Sequence, residues 1–282
     1  MLMAQDRPMV EDLHGVWWRT LVREADGSTD RATAVSWIQG PSLFGDLRQP
    51  PGLVELVGRA ALSTLDRPQL LALCEQKGFA GTFAQQGDAF GWVRRIDLHP
   101  PAPLADAGTL RWEGEVLVEE GLHENYLEHW VAVERPSEAP AAALFEDPAQ
   151  GCAGVLVRAG SWFAYARDRS VLLPAQSLSL PLSPLLPPLL PLSLAEQVSG
   201  CGTRAEAAAL LDCEVSIGRV RAGRWEIVRS TLPNRVGGQL APELNGDGDG
   251  LRIQDADPQG RARPRSWRLA RVEGPARLLA AR

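Results

Sequence analysis

Charged and aromatic side chains alternate along three segments of the sequence in a pattern that could build one ligand pocket. Asp46 and Arg48 are two residues apart, as are Trp92 and Arg94, and such neighbours point to the same side of a β-strand. If these faces line a barrel, the walls resemble those of a small-molecule site, and either arginine could hold a carboxylate through its bidentate fork. The predicted ligand-binding residues are Trp37, Asp46, Arg48, Trp92, Arg94, Tyr126, Glu128 and Trp130.

Two other interpretations of these residues stay open. Arginines and carboxylates inside a small barrel can simply satisfy one another around a tryptophan core. The chain would then be a non-enzymatic interaction module with filled barrels, which binds a protein partner or itself through its surface or its Leu/Pro-rich loop. An enzyme would instead need a polar, solvent-connected cavity that contains carboxylates with shifted pKa values, such as Glu113, Glu119 or Glu128. We predict no catalytic residue and no cofactor.

No metal site is predicted from the spacing of ligand-type residues. His123 and His129 share one face of a predicted strand, but about 20 Å of strand rise separates them. Residues 245–250 imitate the start of an EF-hand loop, yet the twelfth position is Ala256 where a glutamate is required. The motifs of nucleotide-binding proteins and of serine hydrolases are also absent from the sequence.

The overall composition is that of a globular protein. Of its residues 45% are hydrophobic and 23% charged, and the formal net charge of −6 argues against a nucleic-acid surface. No apolar run of about 18 residues could span a membrane, and the N-terminus does not resemble a signal peptide. We therefore predict a cytoplasmic, bacterial protein with no nucleic-acid partner. Only one of the 29 basic residues is a lysine, Lys77, a bias that we attribute to a GC-rich coding sequence.

The elements that must position the candidate residues are mostly strands. Aromatic and β-branched residues between turn signals predict strands in the first half at 16–23, 33–39, 42–48, 79–86, 89–98, 109–118 and 124–134. Residues 52–77 have the apolar spacing of helices. The second half repeats this plan, with a helix from about 194 to 211 and strands at 152–157, 162–167, 212–218, 224–231, 238–240 and 266–272.

The repeated plan predicts two domains in the chain. The first occupies residues 1–135, a Pro/Ala-rich linker follows at 136–150, and a second, diverged domain fills 151–282 with a Leu/Pro-rich loop at 172–194. A Trp-containing strand follows a helix and one strand in each half, at Trp92 and again at Trp225. This correspondence favours an internal duplication.

The first predicted strand opens with Gly15-Val16-Trp17, which resembles the Gly-x-Trp signature of lipocalins. Each half is similar in size and pattern to the calycin superfamily of up-and-down barrels. The tandem arrangement resembles a group of two-barrel lipocalin-like proteins of unassigned function. The resemblance implies a mostly β fold of two tandem lipocalin-like antiparallel β-barrels, each with a helical insertion. It also implies a cavity for a small hydrophobic ligand, which an arginine would orient if the ligand is acidic.

Overall fold

A computed structural model describes residues 7–147, 149–173 and 192–281 of the chain. In the first half, two short helices, α1 (Leu53–Val57) and α2 (Arg67–Leu73), separate the fourth strand from the fifth. The strands of this half are β1 (Gly15–Arg23), β2 (Thr29–Asp30), β3 (Ala34–Gln39), β4 (Leu43–Gln49), β5 (Lys77–Gln86), β6 (Ala89–Asp97), β7 (Ala107–Glu113), β8 (Val116–Gly121) and β9 (Leu127–Glu134).

The second half has the same order of elements. Helices α3 (Leu194–Gly200) and α4 (Arg204–Leu211) follow the third strand of this half, as the first two helices follow the third strand of theirs when the two-residue β2 is not counted. Its strands are β10 (Ala141–Asp147), β11 (Cys152–Ala159), β12 (Trp162–Arg167), β13 (Glu214–Arg221), β14 (Arg224–Ser230), β15 (Glu243–Leu244), β16 (Gly250–Ala256) and β17 (Ala262–Glu273).

The first half forms a closed antiparallel barrel. Its strands follow the order β1-β3-β4-β5-β6-β7-β8-β9, and β9 pairs back onto β1. The short strand β2 extends one edge of β1. Closure removes the sheet edges and gives every strand an inner and an outer face.

The second half forms a curled antiparallel sheet of eight strands. The order is β14-β13-β12-β11-β10-β17-β16-β15, so the last long strand again pairs with the first strand of its half. An isolated bridge between Glu226 and Gln239 links β14 to the segment that leads into β15. The sheet is therefore a half-barrel built on the plan of the first barrel.

The predicted fold class is confirmed: the chain is mostly β, antiparallel, and carries a helical insertion in each half. The predicted linker at 136–150 is partly wrong, because Ala141–Asp147 is β10, a central strand of the second sheet. The predicted strand at 109–118 is two strands, β7 and β8, joined by a turn in which Gly114 has a φ of 63°. The single helix predicted at 194–211 is likewise two helices. Most of the predicted Leu/Pro-rich loop lies outside the described residues.

One apolar cluster lies between the two halves and contains residues of both. The alternation along β4 sends Phe44 into the barrel and turns Leu43 and Leu47 outward. These outer side chains belong to the same cluster as Val157 and Val215 of the second sheet. Apolar residues of all four helices complete that cluster. The barrel interior is thus a separate compartment, and the insertions pack at the contact between the halves.

Candidate functional site

The structure places all eight predicted site residues inside the first barrel or at its mouth. Three of them fill its apolar end: Trp37, Trp92 and Trp130 are each at most 7% exposed. The ring of Trp37 lies 5.5 to 5.9 Å, centroid to centroid, from those of Trp17, Phe83, Trp92 and Trp130. Rings at such separations pack in favourable edge and offset geometries. Aromatic side chains therefore occupy the space that the sequence assigned to the body of a hydrophobic ligand.

A cavity of about 310 Å³ lies at the opposite, polar end of the barrel. It opens where β1 and β4 end and where β5 and β9 begin, beside the two ends of the helical insertion. Its volume is at the lower limit for small-molecule sites. Ten of its lining residues are charged: Arg19, Glu24, Asp30, Arg48, Glu75, Lys77, Arg94, Asp106, Glu124 and Glu128.

The floor of the cavity is a buried ion-pair network centred on Glu128. Arg19 Nη1 donates to Glu128 Oε1 at 2.6 Å, and Arg48 Nη1 donates to the same oxygen at 3.1 Å. Arg48 Nε donates to Asp46 Oδ1 at 3.0 Å. Burial acts to lower the pKa of Arg48, but Asp46 and Glu128 outweigh it and hold that pKa well above its ordinary value. Arg48 therefore remains a fixed positive charge.

A second arginine is held at the wall of the cavity by its own partners. Arg94 donates to Asp106 Oδ2 at 2.6 Å and to Asp97 Oδ2 at 3.0 Å. Its guanidinium carbon lies 3.7 Å from the ring centroid of Phe79, a cation–π distance. With all three of its nitrogens engaged, Arg94 shapes the wall but has little capacity left for a ligand.

Two cationic donors at the cavity remain available. Among the described residues, Arg48 Nη2 has no hydrogen-bond partner, although the other two nitrogens of this guanidinium are engaged. Lys77 forms no salt bridge and no side-chain hydrogen bond within the same ranges. The two residues are direct cross-strand partners of β4 and β5, so their side chains lie on the same, inner face. This pair therefore supplies the hydrogen-bond donors that a ligand in the pocket can use.

Below the floor, Glu119 is a buried carboxyl group held by two donors. Tyr126 Oη donates to its Oε1 at 2.8 Å and Trp130 Nε1 to its Oε2 at 3.0 Å. Burial, reinforced by the negative charge of Glu128, raises the pKa of Glu119 to about 8. The group is therefore mainly protonated at neutral pH and adds little negative charge beneath the cavity.

The second half shows what the same arrangement looks like without a free cation. Arg167, at the end of β12, faces Glu214 as its direct partner in β13, just as Arg48 faces Lys77. Its Nε lies 2.9 Å from Asp255, and Glu214 accepts from Arg235 at 2.9 Å. All four of these side chains are at most 6% exposed. At this end of the second sheet, the buried charges are thus arranged as ion pairs.

Four of the eight predicted residues line this cavity. Arg48, Arg94, Tyr126 and Glu128 line the cavity, whereas Asp46 acts on it through Arg48. Other lining residues, among them Arg19, Lys77 and Asp106, are absent from the sequence prediction. For Lys77 one signal exists, because it is the only lysine in the chain; its pairing with Arg48 is visible only in the structure.

The fold and the site together define a mostly β protein whose first half is a closed barrel with a charged pocket at one end. No protein-family model matches the chain, and no curated protein matches it. Among solved structures it is similar to the uncharacterized protein YLR301w of Saccharomyces cerevisiae, at 11% sequence identity and a TM-score of 0.49. The match covers 92% of this chain and 98% of that one. At this score the likeness supports no statement about function.

Neither a membrane-spanning helix nor a cluster of metal ligands is present among the described residues. No helix there has the length and apolarity needed to cross a membrane. No group of three or more His, Cys, Asp or Glu side chains in those ranges could hold a metal ion. The cytoplasmic location, the lack of a nucleic-acid partner and membership of the lipocalin-like proteins stay predictions from the sequence.

Proposed function

We propose that the first barrel binds a small organic acid in the cavity at its mouth. The observation that carries this proposal is the pair of available cationic donors, Arg48 Nη2 and Lys77, on directly opposed positions of β4 and β5. A guanidinium with its other nitrogens already fixed loses little entropy when it binds a carboxylate. The proposed ligand has the acidic group that the sequence analysis predicted. It cannot have a large apolar part, because aromatic side chains fill the interior of the barrel.

The rim of the cavity restricts the charge that such a ligand can carry. Glu24, Glu75 and Glu124 line the opening, are exposed, and form no salt bridge among the described residues. They repel an approaching anion weakly, because water and salt screen charges at the surface. A second or third negative charge on the ligand would increase this repulsion, so we propose a monocarboxylate rather than a dicarboxylate or a phosphate.

The binding test uses isothermal titration calorimetry of the intact chain with a panel of small carboxylic acids. We expect monocarboxylates to bind, and Lys77→Gln to weaken binding tenfold or more, which corresponds to about 1.4 kcal/mol. This variant keeps the fold because Lys77 is exposed and unpaired. Arg221→Gln is the matched control, since Arg221 is an exposed strand arginine with no ion pair in the described ranges.

Native mass spectrometry of the purified protein complements the titration by searching for a ligand that is already bound. A co-purifying acid that is lost in Lys77→Gln and kept in Arg221→Gln would support the proposal. If the protein is empty and no acid of the panel gives heat or raises the melting temperature, the proposal is wrong. The interior would then act only as a filled core, as the interaction-module hypothesis requires.

A further inference from the structure

We propose that Lys77 is a carbonyl-reactive amine that forms an imine with a small oxo monocarboxylic acid bound at Arg48. This inference rests on the proposed binding of an acid and names its class. Such an acid carries a ketone or aldehyde next to its carboxylate. The carboxylate would bind Arg48 Nη2, and the neighbouring carbonyl would then face the amine on the opposed strand position.

The position of Lys77 meets the first requirement of a reactive amine, which is access to the ligand without competition from the protein. Lys77 is the first residue of β5 and pairs directly with Arg48. It lines the cavity and is exposed, so a ligand can reach it from solvent. Among the described residues no carboxylate forms a salt bridge with it.

The equivalent position in the second half of the chain does carry a carboxylate. There the first residue of β13, Glu214, faces Arg167 in the same register and neutralises the buried arginines. In the first barrel a lysine occupies that place, where repulsion from Arg48 raises the free energy of the folded state. Two facing cations destabilise a network that has only a structural role. In a site that binds an anion next to an amine, both cations contribute to binding.

The electrostatic surroundings meet the second requirement, which is a supply of uncharged amine. The surrounding protein removes part of the water around the ammonium group, and the guanidinium groups of Arg48 and Arg94 repel its charge. Both effects lower the pKa of Lys77, and Arg19 adds to them while Glu128 opposes them. A neutral lysine amine is the form that attacks a carbonyl carbon.

The reaction needs no oxidant or reductant. The lone pair of the Lys77 nitrogen forms a bond to the carbonyl carbon, and a proton passes from nitrogen to the former carbonyl oxygen to give a carbinolamine. That hydroxyl group then leaves as water together with the hydrogen that remains on the nitrogen, which gives a carbon–nitrogen double bond.

The test is reductive trapping of the intact protein with glyoxylate and sodium cyanoborohydride, followed by intact mass and peptide mapping. Because the chain has one lysine, any adduct on a side-chain amine is at Lys77. The α-amino group is the internal reference, since an ordinary lysine, with its pKa near 10.4, reacts more slowly at neutral pH than an α-amino group with a pKa near 8. We expect Lys77 to be trapped at least as fast as the α-amino group, and Lys77→Arg to abolish that adduct.

The outcomes separate this inference from the binding proposal. Excess glycolate, the hydroxy acid of the same size, should slow trapping at Lys77 and leave the α-amino adduct unchanged. If glyoxylate binds by calorimetry but Lys77 is trapped more slowly than the α-amino group, the imine is wrong and acid binding stands. If glyoxylate neither binds nor is trapped at Lys77, and the wider panel also fails to bind, both proposals fall.

Discussion

At the scale of residues, the two networks carry opposite charges at one equivalent position. Arg48 and Arg167 end equivalent strands, and their partners across the sheet are Lys77 and Glu214. Buried ion pairs cost desolvation free energy that only good geometry and complete pairing can offset. In the second network each of the four charged side chains has an oppositely charged partner, whereas in the first Lys77 has none among the described residues.

Lys77→Glu should therefore increase the stability of the folded protein and abolish acid binding. A glutamate opposite Arg48 can accept from its free Nη2, so we expect the free energy of unfolding to rise by up to about 1 kcal/mol. Acid binding should be lost, because a negative charge now occupies the anion position. Urea denaturation and calorimetry measure the two effects, with Lys77→Gln as the control that removes the charge without reversing it. Retained acid binding in Lys77→Glu would contradict the assignment of the pocket.

Glu119 should give stability an alkaline dependence. Its pKa is raised from an ordinary 4.5 to about 8, so the folded state holds a proton that the unfolded state releases between these values. The corresponding stability is fully present below about pH 4.5 and is lost as pH rises through 8, by at most about 1.4 kcal/mol per pH unit.

Glu119→Gln should flatten this dependence between pH 6 and 9, because an amide does not titrate; its oxygen can still accept from Trp130 Nε1, and its NH2 group can donate to Tyr126 Oη. Urea midpoints across that range measure the slope for each variant. Glu243→Gln, at an exposed carboxylate, is the control and should leave the slope as in the parent protein. A Glu119→Gln slope equal to that of the parent would show that this carboxyl group does not titrate in the range.

At the scale of elements, the sequence predicts the strand faces well and the strand limits less well. Spacing by two placed Asp46 and Arg48 on one face, and the barrel turns that face inward. Lys77 falls outside the predicted strand at 79–86, so its pairing with Arg48 was not visible. Whether the interior is filled depends on how side chains from distant strands meet, which spacing along one strand does not encode.

The missed strand β10 has a specific physical cause. Its sequence begins Ala141-Ala142-Ala143 between prolines, and alanine is depleted in strands. These alanines are fully buried, and Ala142 packs close to Gly40 of the first half. Small side chains here serve close packing between the halves, so local propensity gives way to tertiary contact.

Glycine plays the same role where β4 meets β12. A Cβ atom added at Gly45 would lie 2.6 Å from Cβ of Ala164, which is too close for either backbone to tolerate without movement. We expect Gly45→Val to reduce the free energy of unfolding by about 1–3 kcal/mol through overpacking, as measured by urea denaturation. Gly246→Val is the matched control, because an added Cβ there meets nothing within 4 Å. Equal stability of the two variants would mean that the sheets are not in such close contact.

At the scale of the whole molecule, the barrel and the half-barrel depend on each other. Apolar residues of both halves form one cluster, and polar contacts cross the same boundary. Arg229 donates to Ser36 Oγ at 3.0 Å, and Gln49 Nε2 donates to the carbonyl oxygen of Ser230 at 3.1 Å. Separating the halves would expose this cluster to water, so we expect them to unfold as one cooperative unit.

Phe83→Ala tests that coupling from inside the first barrel. Phe83 is 1% exposed and packs among the rings of the barrel interior, so its truncation should cost about 3–5 kcal/mol. In a cooperative molecule, the slowest-exchanging amides of β11 and β12 lose protection to the same extent as those of β3 and β4. Hydrogen exchange followed by peptide mass spectrometry measures both halves in one sample.

Phe163→Ala supplies the reciprocal variant, because Phe163 is fully buried in the interior of the second half. Its loss should lower protection in β3 and β4 in turn. If each variant affects only its own half, the halves are independent folding units that merely touch. In that case the pocket of the first barrel would not depend on the second half, and residues 7–135 alone should bind the acid.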